Sequence, residues 1–201
     1  QLLMMICLLI SVSVSAQTAE EYLISAIKKN KSYDDISIIF NATNIQRDED
    51  VDDSITSNGF ASIKGNSYIV NFDGQEMICD GTTLWTHLIN DEEVMISEAT
   101  DDSSPIAIID SFSKNINATF IKSDTPNIKI VEIKENENTT FEKTQLSFDE
   151  NLNIKKVHIF ISDGIELIYE ITEFKTNQNL PDSMFIFNEE LHPNVEVIDM
   201  R

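Results

Sequence analysis

The sequence predicts an α+β fold that is mainly β: near ten strands in one antiparallel sheet, with two or three helices. Three observations predict it. Apolar residues recur with period two along run after run, the dipeptides Asp73-Gly74, Asp80-Gly81 and Asp163-Gly164 fall between runs as turn signals, and few stretches carry helical spacing. So many strands with so few helices imply one strongly curved sheet, whose apolar inner face is either covered by helices or left as a cavity.

Taken in order, residues 1–16 are expected to be a cleaved secretory signal and residues 17–201 a single exported domain. Leu2 to Ile10 is continuously apolar, and Val14-Ser15-Ala16 offers small residues before Gln17. A cleavable signal opens with Met and a Lys or Arg; both are missing, so the sequence is expected to begin inside the signal. Thr18 with Glu21 forms a capping box, Leu23, Ala26 and Ile27 share a side, and Lys28, Lys29 and Lys31 suit the end of a helix. After Tyr33 the period changes to two. Ile36, Ile38, Phe40 and Ala42 share one face of a strand, Tyr68, Val70 and Phe72 one face of another, and Ile165, Leu167, Tyr169 and Ile171 alternate most clearly. Asn90-Asp91 separates Trp85 to Ile89 from Val94 to Ser97 as a hairpin, and the strands are expected to follow one another as a meander. Ser104-Pro105 reads as a cap with proline in the first turn, so a short helix with Ile106, Ile108, Ile109 and Phe112 is expected as far as Lys114. Strand-like runs resume at Phe120, 128–133, 141–148, 154–161 and 165–174, and the chain closes with 184–187 and 195–198.

Composition removes several classes of function. The chain has 201 residues with 35 Asp and Glu against 14 Lys and Arg, a net charge of −21, which disfavours phosphate backbones and anionic membranes. Nucleic acid is therefore not an expected partner. Only 5 glycines are present, and neither nucleotide-binding glycine fingerprint occurs. His87, His158 and His192 are scattered, and Cys79, beside Met77 and Ile78, reads as a buried thiol, so no metal and no cofactor is expected. Asp48 to Asp53 lacks the glycine and the closing glutamate of a calcium loop and reads as a solvated hairpin loop. No catalytic residue is assigned: an exported hydrolase would need a nucleophile beside a base, and His158 with Ser162 is the one arrangement to test.

A positive signal lies in an ordered series of strands and turns. Gly59-Phe60-Ala61-Ser62-Ile63-Lys64-Gly65, then Tyr68-Ile69-Val70, then Asp80-Gly81-Thr82-Thr83-Leu84-Trp85, then Glu93-Val94-Met95-Ile96 resembles the periplasmic outer-membrane lipoprotein carrier family, LolA-like. In that family a strand closing on Asp-Gly-Lys-Thr with a following Trp recurs; here Thr82 stands where Lys is usual. The ending Pro193-Asn194-Val195-Glu196-Val197-Ile198-Asp199-Met200-Arg201 is also similar to the family's tails. One departure concerns control of the lid. Many members carry an Arg-Pro pair whose buried arginine latches the lid, and this chain has Lys64-Gly65-Asn66 there, its only arginines being Arg47 and Arg201.

The resemblance implies an incomplete, half-open antiparallel β-barrel with two or three helices forming a lid over an apolar cavity, and a monomeric, non-enzymatic carrier, exported to the periplasm, that shields the acyl chains of lipoproteins in it. The implied partners are acylated lipoproteins, an inner-membrane ABC transporter that supplies them and an outer-membrane acceptor. A lipid-sensing regulatory or binding module of the same half-barrel fold is the alternative. Candidate cavity-lining residues are Ile36, Ile38, Phe40, Phe60, Tyr68, Val70, Phe72, Trp85, Leu167 and Tyr169 on strands, with Ile108, Ile109 and Phe112 on the lid. For each the competing reading is an ordinary core position. Trp85 leads because a large aromatic with a polar N–H suits a pocket mouth.

Overall fold

The computed structural model describes residues 17–47, 52–100, 105, 117–134 and 141–201. Among them are the α-helix α1 (Ala19–Lys31), a helical Pro105 and twelve strands. The strands are β1 (Ile36–Arg47), β2 (Asp52–Lys64), β3 (Ser67–Phe72), β4 (Gln75–Cys79), β5 (Thr83–Leu88), β6 (Glu93–Glu98), β7 (Ala118–Ile121), β8 (Lys129–Lys134), β9 (Phe141–Phe148), β10 (Ile154–Ile161), β11 (Ile165–Thr176) and β12 (Glu196–Asp199). They make a single 12-stranded sheet in the order β12-β6-β5-β4-β3-β2-β1-β11-β10-β9-β8-β7. The first six strands are one meander and β7 to β11 a second. Pairing of β1 with β11, from Ile36 opposite Thr176 to Gln46 opposite Ile165, stitches the two together.

Local chemistry explains the framework. The Thr18 hydroxyl accepts from the Glu21 N–H at 3.1 Å while the Glu21 carboxylate accepts from the Thr18 N–H at 3.0 Å, closing the capping box at the start of α1. Asp73 and Gly74 both take positive φ, 51° and 76°, between the paired residues Phe72 and Gln75. That is a two-residue turn of the kind whose twist matches its strands. In the next turn the Asp80 carboxylate accepts from the N–H groups of Thr82 and Thr83 and from the Thr82 hydroxyl, each at 2.8 Å. Burial works against ionisation there, but these bonds prevail and hold the Asp80 carboxyl below its ordinary range.

Each face of the sheet has its own cover. On the inner face Tyr22, Leu23, Ala26 and Ile27 of α1 bury against Phe40, Ala42, Val131, Ile133, Leu146, Phe148 and Ile171. On the outer face the segment between β11 and β12 buries Phe185 and Phe187 over Ile69, Ile78, Val94 and Ile96. Two polar anchors fix that segment. The buried Asp35 carboxylate accepts from the N–H groups of Gln178, at 2.7 Å, and Leu180, at 3.1 Å, and the Lys64 ammonium donates to the Leu180 carbonyl at 2.8 Å and to Asp182 at 2.6 Å. Lys64 therefore ties β2 to the outer cover.

Two expectations change. Residues 184–187 were expected to form a strand, yet Asp182–Phe185 is a 3-10 turn: Phe185 and Phe187 keep the spacing of two because both enter the sheet's outer face without joining its edge. The tail does add a strand, but β12 runs parallel to β6 and so departs from the antiparallel meander. Of the two or three helices expected, α1 is described in full and Pro105 is helical, while Ile106, Ile108, Ile109 and Phe112 of the short helix after it lie outside the described residues. The acidic hairpin has Arg47 paired with Asp52, and its residues 48–51 likewise lie outside the described part.

Candidate functional site

Register brings most of the nominated strand residues to the inner face. Ile171, Phe40, Gly59 and Phe72 form one row across β11, β1, β2 and β3, and Tyr169 pairs with Ala42 in the next. The Phe40 ring centroid is 5.9 Å from that of Phe72 and 6.1 Å from that of Tyr169. Gly59 makes this packing possible, since a Cβ there would stand 2.5 Å from the tip of the Phe40 ring and 2.9 Å from the Asn71 carbonyl. Phe40 and Tyr68 are buried, whereas Ile36, Ile38, Val70, Phe72, Leu167 and Tyr169 are half-buried, so an apolar strip continues beyond the part of the sheet that α1 seals. Burial pushes the Tyr169 phenol up, which keeps it neutral.

Met77, Val157 and Ile159 belong to the same strip and were missed. Val157 pairs with Tyr169, Ile159 with Leu167 and Met77 with Val70, and all three are half-buried. The alternation of Val157, Ile159 and Ile161 in β10 was the signal that would have found two of them.

Two nominated residues lie on the opposite face. Phe60 sits between inward-facing Gly59 and Ala61 and pairs with Ile39, and both are exposed on the outer side. Trp85 pairs with Ile78 and Ile96 and packs beneath Phe185 and Phe187. The aromatic that the sequence put first thus anchors the outer cover, and the structure separates it from Phe40, Phe72 and Tyr169 by the thickness of the sheet. Period-two reasoning sorted residues within each strand; it did not say which parity of β2 and β5 matched which parity of β1. Ile108, Ile109 and Phe112 lie outside the described residues.

The outer face of β9 to β11 is polar. The His158 Nε2–H donates to Glu166 at 2.7 Å, Glu166 also takes the Arg47 Nε–H at 2.5 Å, and the His158 ring stacks on Phe160 at 3.9 Å. His158 is thus engaged by a carboxylate. Burial lowers the His158 pKa, outweighing the pull of Glu166 in the other direction, and the hydrogen bond from Arg47 leads in holding Glu166 below its ordinary range. A folded-state pKa depressed in this way contributes stability that is present above the unfolded value and lost as pH falls through the folded one. Urea midpoints of the native protein should therefore fall, relative to those of a His158→Gln variant, as pH drops below about 6.5, the unfolded value for histidine. Parallel curves for the two proteins would rule this out. Among the described residues no group of three or more His, Cys, Asp or Glu side chains is arranged to hold a metal ion, and Cys79 is a buried free thiol whose pKa burial raises.

Comparison with known proteins places this architecture. No curated protein matches the sequence. Among solved structures, an uncharacterized conserved protein from Thermus thermophilus aligns with a TM-score of 0.55 at 12% identity, covering 88% of this chain and 96% of that one. A LolA superfamily protein from Nitrosomonas europaea aligns over 86% of this chain and 99% of its own at 14% identity, with a TM-score of 0.45. At these identities the first likeness is one of fold alone, and the second is too slight to add to it. The sequence itself decides the matter. The model of the family described as outer membrane lipoprotein carrier protein LolA matches residues 69–188, more than half of the chain, from β3 to the turn that seats Phe187, and this chain belongs to that family.

Proposed function

We propose that this protein is a periplasmic carrier that shields the acyl chains of lipoproteins against the inner face of its sheet and moves them from the inner to the outer membrane. The observation that carries the reading is the half-buried apolar strip of Phe72, Val70, Tyr169 and Leu167 beside the seal of α1. Membership of the lipoprotein carrier family supports it. Physical chemistry makes the task intelligible, because each acyl methylene left in water costs roughly 0.8 kcal/mol, and a sixteen-carbon chain therefore about 12 kcal/mol. A carrier must hide that surface and still release it, which suits a strip that is covered but not sealed. On this reading the protein catalyses no reaction. It acts as a monomer, taking acylated lipoproteins from an inner-membrane ABC transporter and delivering them to an outer-membrane acceptor or to the membrane itself.

The test is direct. Native mass spectrometry of the exported protein should find co-purified or exchangeable acyl chains at one set per molecule, and a fatty acid should displace an apolar dye from it. A protein that takes up neither is not a carrier.

A further inference from the structure

The outer face carries a second feature that acyl carriage does not use. Across β2 to β5 the register lines up Phe60, Asn71, Glu76 and His87 in one row, with Ile39 of β1 at its near end. At the far end a cleft of about 400 Å³ opens under the C-terminal cover, lined among others by Glu76, His87, Ile89, Glu92, Leu191 and His192. His87 is 5% exposed, and its Nδ1 is buried without a hydrogen-bond partner. Glu76 Oε2 stands 3.8 Å from that nitrogen, beyond hydrogen-bond range, and the His192 ring lies edge-on to His87 at 4.7 Å while stacking on Phe187 at 5.0 Å.

Charge states what the cleft would accept. Residues 65–100 and 176–200 contain no Lys and no Arg, so neither Glu76 nor Glu92 at the cleft has a cationic residue near it in sequence. A buried ring nitrogen lacking a proton donor, with the Glu76 carboxylate 3.8 Å away and Glu92 lining the same cleft, calls for a cationic donor. An anionic vesicle surface and a second copy of this acidic chain both bring the wrong sign. Apolar Ile89 and Leu191, both exposed, flank the cleft, and exposed Ile39 and Phe60 lie at the other end of the row.

We propose that this surface docks a partner protein through an extended segment whose lysine or arginine enters the cleft beside His87, Glu76 and Glu92. In the tautomer that protonates Nε2, the Nδ1 lone pair of His87 accepts one N–H of the incoming head group, and the carboxylates take others. Apolar neighbours of that cation rest on Ile89 and Leu191. Strands spaced about 4.8 Å apart put Phe60 roughly 14 Å from His87, which an extended segment of about four residues spans. The partner segment therefore has an apolar side chain for Ile39 and Phe60 about four positions from its cation. This docking is independent of acyl carriage, since it uses the opposite face of the sheet.

Two synthetic peptides test it on the full chain: acetyl-Phe-Ser-Thr-Ser-Arg-Leu-amide and the same peptide with Gln for Arg, titrated at about 0.15 M salt so that long-range attraction is screened. The arginine peptide should bind saturably, move the imidazole resonances of His87 and His192, and bind about tenfold more tightly than the glutamine peptide, as a charge-assisted pair warrants. Glu76→Gln combined with Glu92→Gln should abolish that tenfold preference; Glu92→Gln alone, in an exposed turn, should reduce it and cannot be dismissed as unfolding. Acyl uptake by the same variants should be unchanged, so a failure here and a failure of carriage read out separately. Equal binding of the two peptides, shifts spread over the whole acidic surface, a preference that survives in the double variant, or binding of anionic vesicles or self-association in place of peptide binding would each overturn the proposal.

Discussion

Replacing Asp35 with alanine should lower stability by on the order of 3 kcal/mol and loosen the cover over the outer face. Asp35 is 2% exposed, and its two carboxylate oxygens are spent on the backbone N–H groups of Gln178 and Leu180. Its own carbonyl accepts from Asn177, so the start of the covering segment is pinned to the chain just before β1 from three directions. Alanine leaves two N–H groups near a dry interior without acceptors, and hydrogen bonds to a charged group are worth about 1.5–3 kcal/mol each. Asp35→Asn keeps one acceptor oxygen and should lose roughly half as much. Urea unfolding measures both losses. Trp85, the chain's one tryptophan, packs under the same segment, so the alanine variant should also show red-shifted emission before global unfolding. A midpoint and an emission maximum both unchanged would mean that the cover is held by Phe185 and Phe187 without help from Asp35.

Asp35 also marks where the sequence stopped being readable. The strands themselves were legible because period two is a local property: 141–148 and 154–161 coincide with β9 and β10, and the hairpin at Asn90-Asp91 lies between β5 and β6. The start of α1 was legible for the same reason, since Thr18 and Glu21 satisfy each other within one turn. What could not be read are relations between distant segments. Asp35 meets Gln178 across 143 positions, and Lys64 meets Asp182 across 118, with no local pattern to announce either pair. The pairing of β1 with β11 is of the same kind, and it is this pairing that puts Tyr169 beside Phe40. At the candidate site, Phe40, Tyr68, Val70, Phe72, Leu167 and Tyr169 could be grouped by parity within their own strands. The relative facing of strands was open, so Phe60 and Trp85 were grouped with them although they face the other way. The Phe185 and Phe187 spacing misled in a related manner, because a segment crossing a sheet and a strand within it can both bury alternate residues.

The facing of Trp85 turns into the sharpest test of the site. Leu167→Glu places a carboxylate on the inner face, in the row that pairs Leu167 with Ile159 and with Asn44, toward the end of β1 and β2 where Ile55 is exposed. A half-buried position of this kind tolerates the charge in the empty protein by letting water reach it. Once an acyl chain covers it, the same carboxylate is desolvated without a partner, at a cost of at least about 2–3 kcal/mol, so uptake should weaken by roughly a hundredfold with little change in the unfolding midpoint. Trp85→Glu should do the reverse. It removes a large aromatic from beneath Phe185 and Phe187, which costs about 3 kcal/mol or more of stability, while the inner strip of the molecules still folded keeps its affinity for acyl chains. Dye displacement at a temperature well below both midpoints reads the affinities, and urea titration reads the stabilities. If Trp85→Glu abolished uptake in folded protein while Leu167→Glu left it intact, the binding strip would have to be moved from the inner to the outer face of the sheet, and the carrier mechanism argued from Phe40, Phe72 and Tyr169 would fall with it.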